Sequence, residues 1–296
     1  MNNKNIGIVI PVVGLWEEYT LPCIESLKSD KYSLKILIID NKSEDNNHTF
    51  REASKMVQGT RINMKKRVWL RRFEERIPLA ACWNYGIRRH FGNGIDYCFV
   101  INNDILMSPD TIDNMMERML REEKEKGKIG FMVTGHNIQG ELPNPQDILI
   151  YDSNLKKDVP EAECPDFSNF VINREIFREV GEFDEGFRPA YHEDRDFHFR
   201  IKLAGISAIN YPPASYYHFG SRTQVQNGGM VKNIAFEKNK KYIEKKWGEI
   251  DNSSNGTYKN PFNDPKKSIR WTLQDACKED CQCNVKCQEI IDWRNN

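Results

Sequence analysis

Ile6-Gly7-Ile8-Val9-Ile10-Pro11 and Leu34-Lys35-Ile36-Leu37-Ile38-Ile39-Asp40 are the two stretches whose reading decides the fold. Each is a short apolar run closed by a proline or an acid, the pattern of a strand buried on both faces. Between them Leu21, Ile24 and Leu27 recur at helical spacing. Residues 6–40 therefore read as one β-α-β unit, which implies parallel strands.

The alternation continues outward. It predicts a strand at 68–70, a helix over 79–90 and a strand at 97–101. A further helix follows, with Ser108 as its cap and Pro109 in its first position. Apolar runs at 129–133, 148–151, 170–172 and 207–211 are further strand candidates, and helices are expected over 174–180 and 194–204. Gly205 stops the second of these in the usual C-terminal position. Residues 220–230 read as a loop, after which Phe236, Ile243 and Trp247 space out an amphipathic helix. A polar stretch at 251–256 marks a boundary. The expected architecture is an α/β main domain over 1–250 and a small appendage over 251–296.

Bulk properties narrow the function. The chain has 296 residues, with Lys+Arg and Asp+Glu both at 43 and no formal net charge. No global field recruits nucleic acid or an anionic membrane surface, so a charged partner must be gripped locally. No apolar run approaches the roughly 20 residues of a transmembrane helix. The first residues lack the long apolar region of a secretory signal, and the expected compartment is the cytosol. Gly-x-Gly-x-x-Gly and Walker loops are absent, which argues against dinucleotide oxidoreductases and P-loop kinases.

Ligands of open α/β sheets bind outside the carboxyl ends of the strands. Three polar clusters occupy that position: Pro11-Val12-Val13, Asp40-Asn41-Lys42-Ser43 and Asn102-Asn103-Asp104. Asp104, flanked by two amide oxygens, suits a hard cation such as Mg²⁺ or Mn²⁺ shared with substrate phosphates, against the plainer reading of a turn. Asp40 is balanced between ligand contact and an Asx-turn. The segment Tyr191-His192-Glu193-Asp194-Arg195-Asp196 is either a capped, solvated helix start or the seat of a general base. His218, among aromatics, reads on its own as a packed residue.

Cysteines fall into two groups. Cys23, Cys82, Cys98 and Cys164 are scattered and read as buried thiols. Cys277, Cys281, Cys283 and Cys287 crowd the appendage. They are read as a structural Zn²⁺ site, two disulfides or free thiols.

Taken together, the motifs resemble the family 2 glycosyltransferases, inverting enzymes of the glycosyltransferase A fold. The resemblance rests on residues 8–13, 38–45, 83–87 (Trp-Asn-Tyr-Gly-Ile), 101–104 (Ile-Asn-Asn-Asp), 181–187, 193–197 (Glu-Asp-Arg-Asp-Phe), 218–223 and 239–248. It implies a Rossmann-like mixed sheet flanked by helices, and a nucleoside-diphosphate sugar (UDP, GDP or dTDP) as donor. The implied acceptor is a hydroxyl, on a glycan or elsewhere, and the implied cofactor Mn²⁺ or Mg²⁺. By resemblance Pro11 and Asp40 contact the nucleotide, with Val12, Asn84, Asn102 and Asn103 beside them. Asp104 holds the metal, His218 joins the metal or the diphosphate, and Asp194, next to Glu193, is the catalytic base. Arg222 and Lys232, on the loop after His218, are expected to close over the diphosphate or to be solvated loop charges. Asn102 stands where many members carry the first Asp of Asp-x-Asp, and Pro78 where a Gly often precedes the Asn-x-Gly helix. The alternative to an enzyme is a non-catalytic sugar-nucleotide or glycan binding module of the same fold.

Overall fold

The computed structural model describes residues 4–60, 65–126, 131–220, 222 and 229–247, with backbone alone at 126, 131 and 229–233. The appendage, with Cys277, Cys281, Cys283 and Cys287, lies outside the described residues, as does the boundary near 250.

The opening unit forms as its pattern requires. Strand β1 (Lys4–Val12) runs parallel to β2 (Tyr32–Asp40), with Ile6 opposite Leu34 and Val12 opposite Asp40. Helix α1 (Leu21–Ser26) connects them, α2 (His48–Gly59) leads from β2 to β3 (Lys66–Arg72), and α3 (Leu79–Gly92) leads to β4 (Tyr97–Ile101). β3 joins β2 and β4 joins β1, both parallel. The chain continues through β5 (Ile105–Met107), α4 (Thr111–Lys126), β6 (Phe131–Asn137), β7 (Asn169–Asn173) and α5 (Arg174–Val180). The described elements close with α6 (Glu193–Leu203), β8 (Ser207–His218) and α7 (Gly229–Trp247). One eight-stranded mixed sheet results, in the order β3-β2-β1-β4-β7-β6-β8-β5.

Both faces of the sheet are covered, which is why β1 and β2 are continuously apolar rather than alternating. Ile6, Ile8 and Ile10 join Leu34, Ile36 and Ile38 on one face, under Ile24 of α1 and Met115, Met116 and Met119 of α4. Val9, Leu37 and Ile39 point to the other, against Trp83 and Ile87 of α3, Phe177 of α5 and Phe197 of α6. α3 approaches β1 closely because a Cβ at Gly86 would strike Val9, and one at Gly7 the ring of His90.

Several local expectations change. Residues 145–150 form a short 3₁₀ helix, not a strand, because Pro145 starts it and Asn144 accepts the Gln146 N–H at 3.2 Å. α4 starts at Thr111, two residues beyond Pro109. The Ser108 hydroxyl is used by Thr111 and Ser153, at 2.8 and 2.6 Å. β8 runs seven residues past 211, through Pro212 and Pro213, and its register with β6 shifts between Thr134 and His136, beyond which Ser215 and Tyr216 pair. α2 and β5 have no counterpart in the sequence reading. Cys23, Cys82 and Cys98 are buried as expected, whereas Cys164 is exposed on an irregular segment. No described helix is long and apolar enough to cross a membrane.

A buried ion cluster docks the last helix. Asp196 of α6 is fully buried and pairs with Arg200 one turn on, at 2.9 Å, and with Lys246 of α7, at 2.7 Å. The indole N–H of Trp247 donates to it at 2.8 Å. Lys246 also reaches Asp184 at 2.7 Å, and Tyr242 donates to the same carboxylate at 3.0 Å. Burial alone would raise the pKa of Asp196, but Lys246 and Arg200 outweigh it and hold the carboxyl below its ordinary value. Asp196→Ala removes the carboxylate partner of Arg200 and leaves Lys246 with Asp184 alone, and is expected to cost about 3–5 kcal/mol, read from urea unfolding. The stability that Asp196 supplies is present in full above its unfolded pKa of about 3.9 and falls as the pH drops through the lower folded value. The acid limb of a thermal-unfolding series should therefore flatten in Asp196→Ala.

Candidate active site

An open cleft of about 690 Å³ lies at the carboxyl ends of the parallel strands. Pro11 and Val13 enter it from the end of β1, Asn41 from β2, and Asn102, Asn103 and Asp104 from the link between β4 and β5. His218 enters from the end of β8, and Glu193 and Asp194 from the start of α6. The clusters read from the sequence do converge.

Asp104 is 6 % exposed. Its Oδ1 meets His218 Nε2 at 3.2 Å and its Oδ2 accepts the Arg222 backbone N–H at 3.2 Å. The pairing of β5 with β8 sets Ile105 opposite His218 and so fixes this approach. His218 Nδ1 in turn faces the Ser168 hydroxyl at 3.3 Å. Burial raises the Asp104 pKa, but the His218 hydrogen bond and charge together with the Arg222 N–H prevail, and the net shift is downward. The complementary shift of His218 is upward, because Asp104 offsets the desolvation that would otherwise lower it. Asn103 donates to the Thr20 hydroxyl at 2.9 Å, and the Asn102 N–H bonds the Ser168 carbonyl at 2.9 Å.

At the start of α6, Tyr191 and His192 both adopt positive φ, 87° and 72°, so the chain turns sharply before the two acids. Glu193 is 4 % exposed, and its Oε2 is buried without a hydrogen-bond partner. Asp194 is half-buried and its Oδ1 accepts its neighbour Arg195's N–H at 2.8 Å. Burial raises both carboxyls, and the charge of Asp194 lifts Glu193 well above its ordinary range. Of the pair, Glu193 is raised further.

Other expected site residues sit elsewhere. Asp40 is wholly buried, accepts the N–H of Ser43, three residues on, at 2.8 Å and lies 3.6 Å from Arg72. Its neighbour Asn41 lines the cleft instead, locked to the Ile77 backbone in both directions at 2.8 and 2.9 Å. Val12 is buried in the core while Val13 faces the cleft. Asn84 is saturated: it donates to the Phe183 carbonyl and to Glu185 and accepts the Phe183 N–H, all within 2.8–2.9 Å. It ties α3 to the 183–185 turn and does not touch the cleft. Arg222 is exposed, with its guanidinium turned back to the Phe219 carbonyl at 3.0 Å. Lys232 lies in α7, and its side chain is outside the described residues.

Asp166, Phe167 and Ser168 also line the cleft, as do Ile234, Ala235 and Lys238 of α7. No sequence pattern marked them. The first three precede a strand rather than follow one, and α7 arrives through the distant Asp196 cluster.

The match to known proteins follows this geometry. The model of the family described as glycosyl transferase family 2 matches residues 7–181. A galactofuranosyl glycosyltransferase of Leishmania donovani is 23% identical over 236 residues, 67% of this chain and 54% of that protein. The chain thus spans about half the length of this curated relative. Among solved structures, GalNAc-T7 with UDP, GalNAc and Mn²⁺ superposes with a TM-score of 0.55 at 15% identity, over 98% of this chain and 58% of the other. S. aureus TarS (1–349) gives 0.50 at 12% identity over 73% and 61%. These likenesses, at such low identity, establish the glycosyltransferase A type of mixed sheet. With more than half of its length inside the family match, the chain belongs to glycosyl transferase family 2.

Proposed function

We propose that the chain is a metal-dependent inverting glycosyltransferase that moves a hexosyl or deoxyhexosyl group from a nucleoside-diphosphate sugar to an acceptor hydroxyl. The observation that carries the reading is the sharing of one cleft by the Asp104–His218 pair and the Glu193–Asp194 pair. A degenerate binding module would have no need of two carboxyl sites with opposite ionisation shifts.

The residues present fit a divalent cation. Asp104 supplies a buried ionised carboxylate and His218 a neighbouring imidazole nitrogen. Among the described residues no third His, Cys, Asp or Glu gathers with them. Two protein ligands leave the remaining positions for phosphate oxygens and water, which suits Mg²⁺ or Mn²⁺. When bound, the cation offsets the negative charge that builds on the departing nucleoside diphosphate. That GalNAc-T7 was solved with UDP and Mn²⁺ supports this choice.

Asp194 takes the proton of the acceptor hydroxyl as the oxygen attacks the anomeric carbon. One displacement breaks the bond to the diphosphate from the opposite side and inverts the centre. Glu193 lies beside Asp194 with its own carboxyl raised further, by burial and by the charge of Asp194. Pro11, Val13 and Asn41 form the end of the cleft open to the nucleoside.

Three outcomes are expected. Asp104→Ala should abolish Mn²⁺-dependent binding of the donor nucleotide in calorimetry while the protein remains folded; unchanged affinity would refute the metal assignment. Asp194→Asn should lose about 10² to 10⁴ in kcat with donor affinity retained, and near-normal turnover would transfer the role to Glu193. Because burial raises the Asp194 carboxyl, kcat should rise with pH through a midpoint above the ordinary carboxylate value of about 4. A midpoint at or below that value contradicts a buried base.

A further inference from the structure

Four carboxylates line the cleft, and they sit with the chemistry: Asp104 is engaged by His218, Asp166 accepts the Ser168 N–H at 2.9 Å, and Glu193 and Asp194 form the pair already described. Three cations line it as well: Arg76, Arg188 and Lys238, all exposed. Among the described residues none of the three side chains has an ion pair or a hydrogen bond. The nearest acids in sequence to Arg76, Glu74 and Glu75, are exposed and do not line the cleft.

The three cations come from distant parts of the chain, but the backbone joins their segments into one wall. Leu79, just past Arg76, donates its N–H to the Pro189 carbonyl at 2.9 Å. The Arg188 N–H bonds the side chain of Asn239, next to Lys238, at 3.3 Å. Asn239 also donates to the carbonyls of Ala190 and Tyr191, at 2.8 and 3.1 Å. Asn239 is 1 % exposed and well satisfied, so the wall has a rigid back. Tyr191 leads directly into Glu193 and Asp194. The cations therefore flank the base, while the Asp104–His218 pair is held from β5 and β8.

We propose that Arg188 and Lys238, extended by Arg76, bind an anionic group on the acceptor, so that the transferase glycosylates a sugar or polyol bearing phosphate, sulfate or carboxylate. This rests on the transferase reading. The donor diphosphate is answered at Asp104 and His218, and three unpaired cations beside the base are left for the other substrate. An arginine offers planar, two-point recognition of such groups and a lysine a point charge. Their exposure makes the attraction dependent on ionic strength.

The test is calorimetry on the full chain with saturating Mn²⁺ and UDP, GDP or dTDP, into which glucose, glucuronate or glucose 6-phosphate is titrated. At least one anionic sugar should bind about tenfold tighter than glucose, the worth of one charged hydrogen-bond pair. Which anion is preferred separates carboxylate from phosphate recognition. The preference should shrink with added salt and vanish in Arg188→Gln/Lys238→Gln. Equal binding of the three sugars overturns the proposal, as does a preference that survives in the double variant. A double variant that instead loses nucleotide–Mn²⁺ affinity assigns the cations to the donor diphosphate and also overturns it. Failure of the parent to bind any of the three nucleotides with Mn²⁺ is a different result, which removes the transferase reading itself.

Discussion

Strand direction is the constraint from which the site follows. β1, β2, β3 and β4 are mutually parallel, so their carboxyl ends share one edge of the sheet. β7 is antiparallel to β4, β6 antiparallel to β7 and β8 parallel to β6. Two reversals return β6 and β8 to the direction of β1, and His218 at the end of β8 reaches the same edge as Pro11 and Asp104. β5 is antiparallel to β8 and starts at that edge, immediately after Asp104. Every polar group in the cleft that comes from the sheet is placed by this parity.

The second determinant is electrostatic and lies away from the cleft. α6 carries Glu193 and Asp194 at its start and Asp196 on its buried side, and Asp196 holds Lys246 and Trp247 of α7. The apolar side of this contact is Phe187, Phe199, Ile243 and Trp247. A buried charge of this kind is costly to desolvate and adds little over a well-packed apolar contact. Its directional bonds do fix how α7 is turned, and that turn presents Ala235 and Lys238 to the cleft. These residues lie beyond the segment that matches the family model, which ends at 181.

The same parity explains what could and could not be read from the chain. Pro11, Asn102, Asn103 and Asp104 were legible because they close or follow strands that point to the ligand edge, and the residues at the end of an apolar run announce that position. Asp166, Phe167 and Ser168 precede β7, which points the other way. A rule that looks after strands passes over them. Asn84 and Asp40 are the opposite case. Their residue types suit a ligand, yet Asn84 closes three hydrogen bonds to the 183–185 turn and Asp40 one to Ser43, bonds that depend on a partner's position in space and leave no trace in spacing. The strand expected at 148–151 failed for a local reason. Apolar runs that short do not separate strand from helix, and the Asn144-Pro145 start decided it.

One cleft also has to keep two carboxyl sites in different states. Asp104 is drawn down by an imidazole and a backbone N–H, groups delivered by β8 and the turn after it. Glu193 and Asp194 are drawn up by burial, Glu193 further by the charge of Asp194, with the Arg195 N–H and charge offering Asp194 a partial counterweight. The difference follows from position in the fold: the first acid meets donors because strand pairing brings His218 beside it, while the second pair is adjacent in sequence and has little else to bond. Adjacent desolvated acids disfavour each other's charged form. A desolvated carboxyl beside the charge of Asp194 ionises less readily than one that stands alone, which is why Glu193 is raised further than its neighbour.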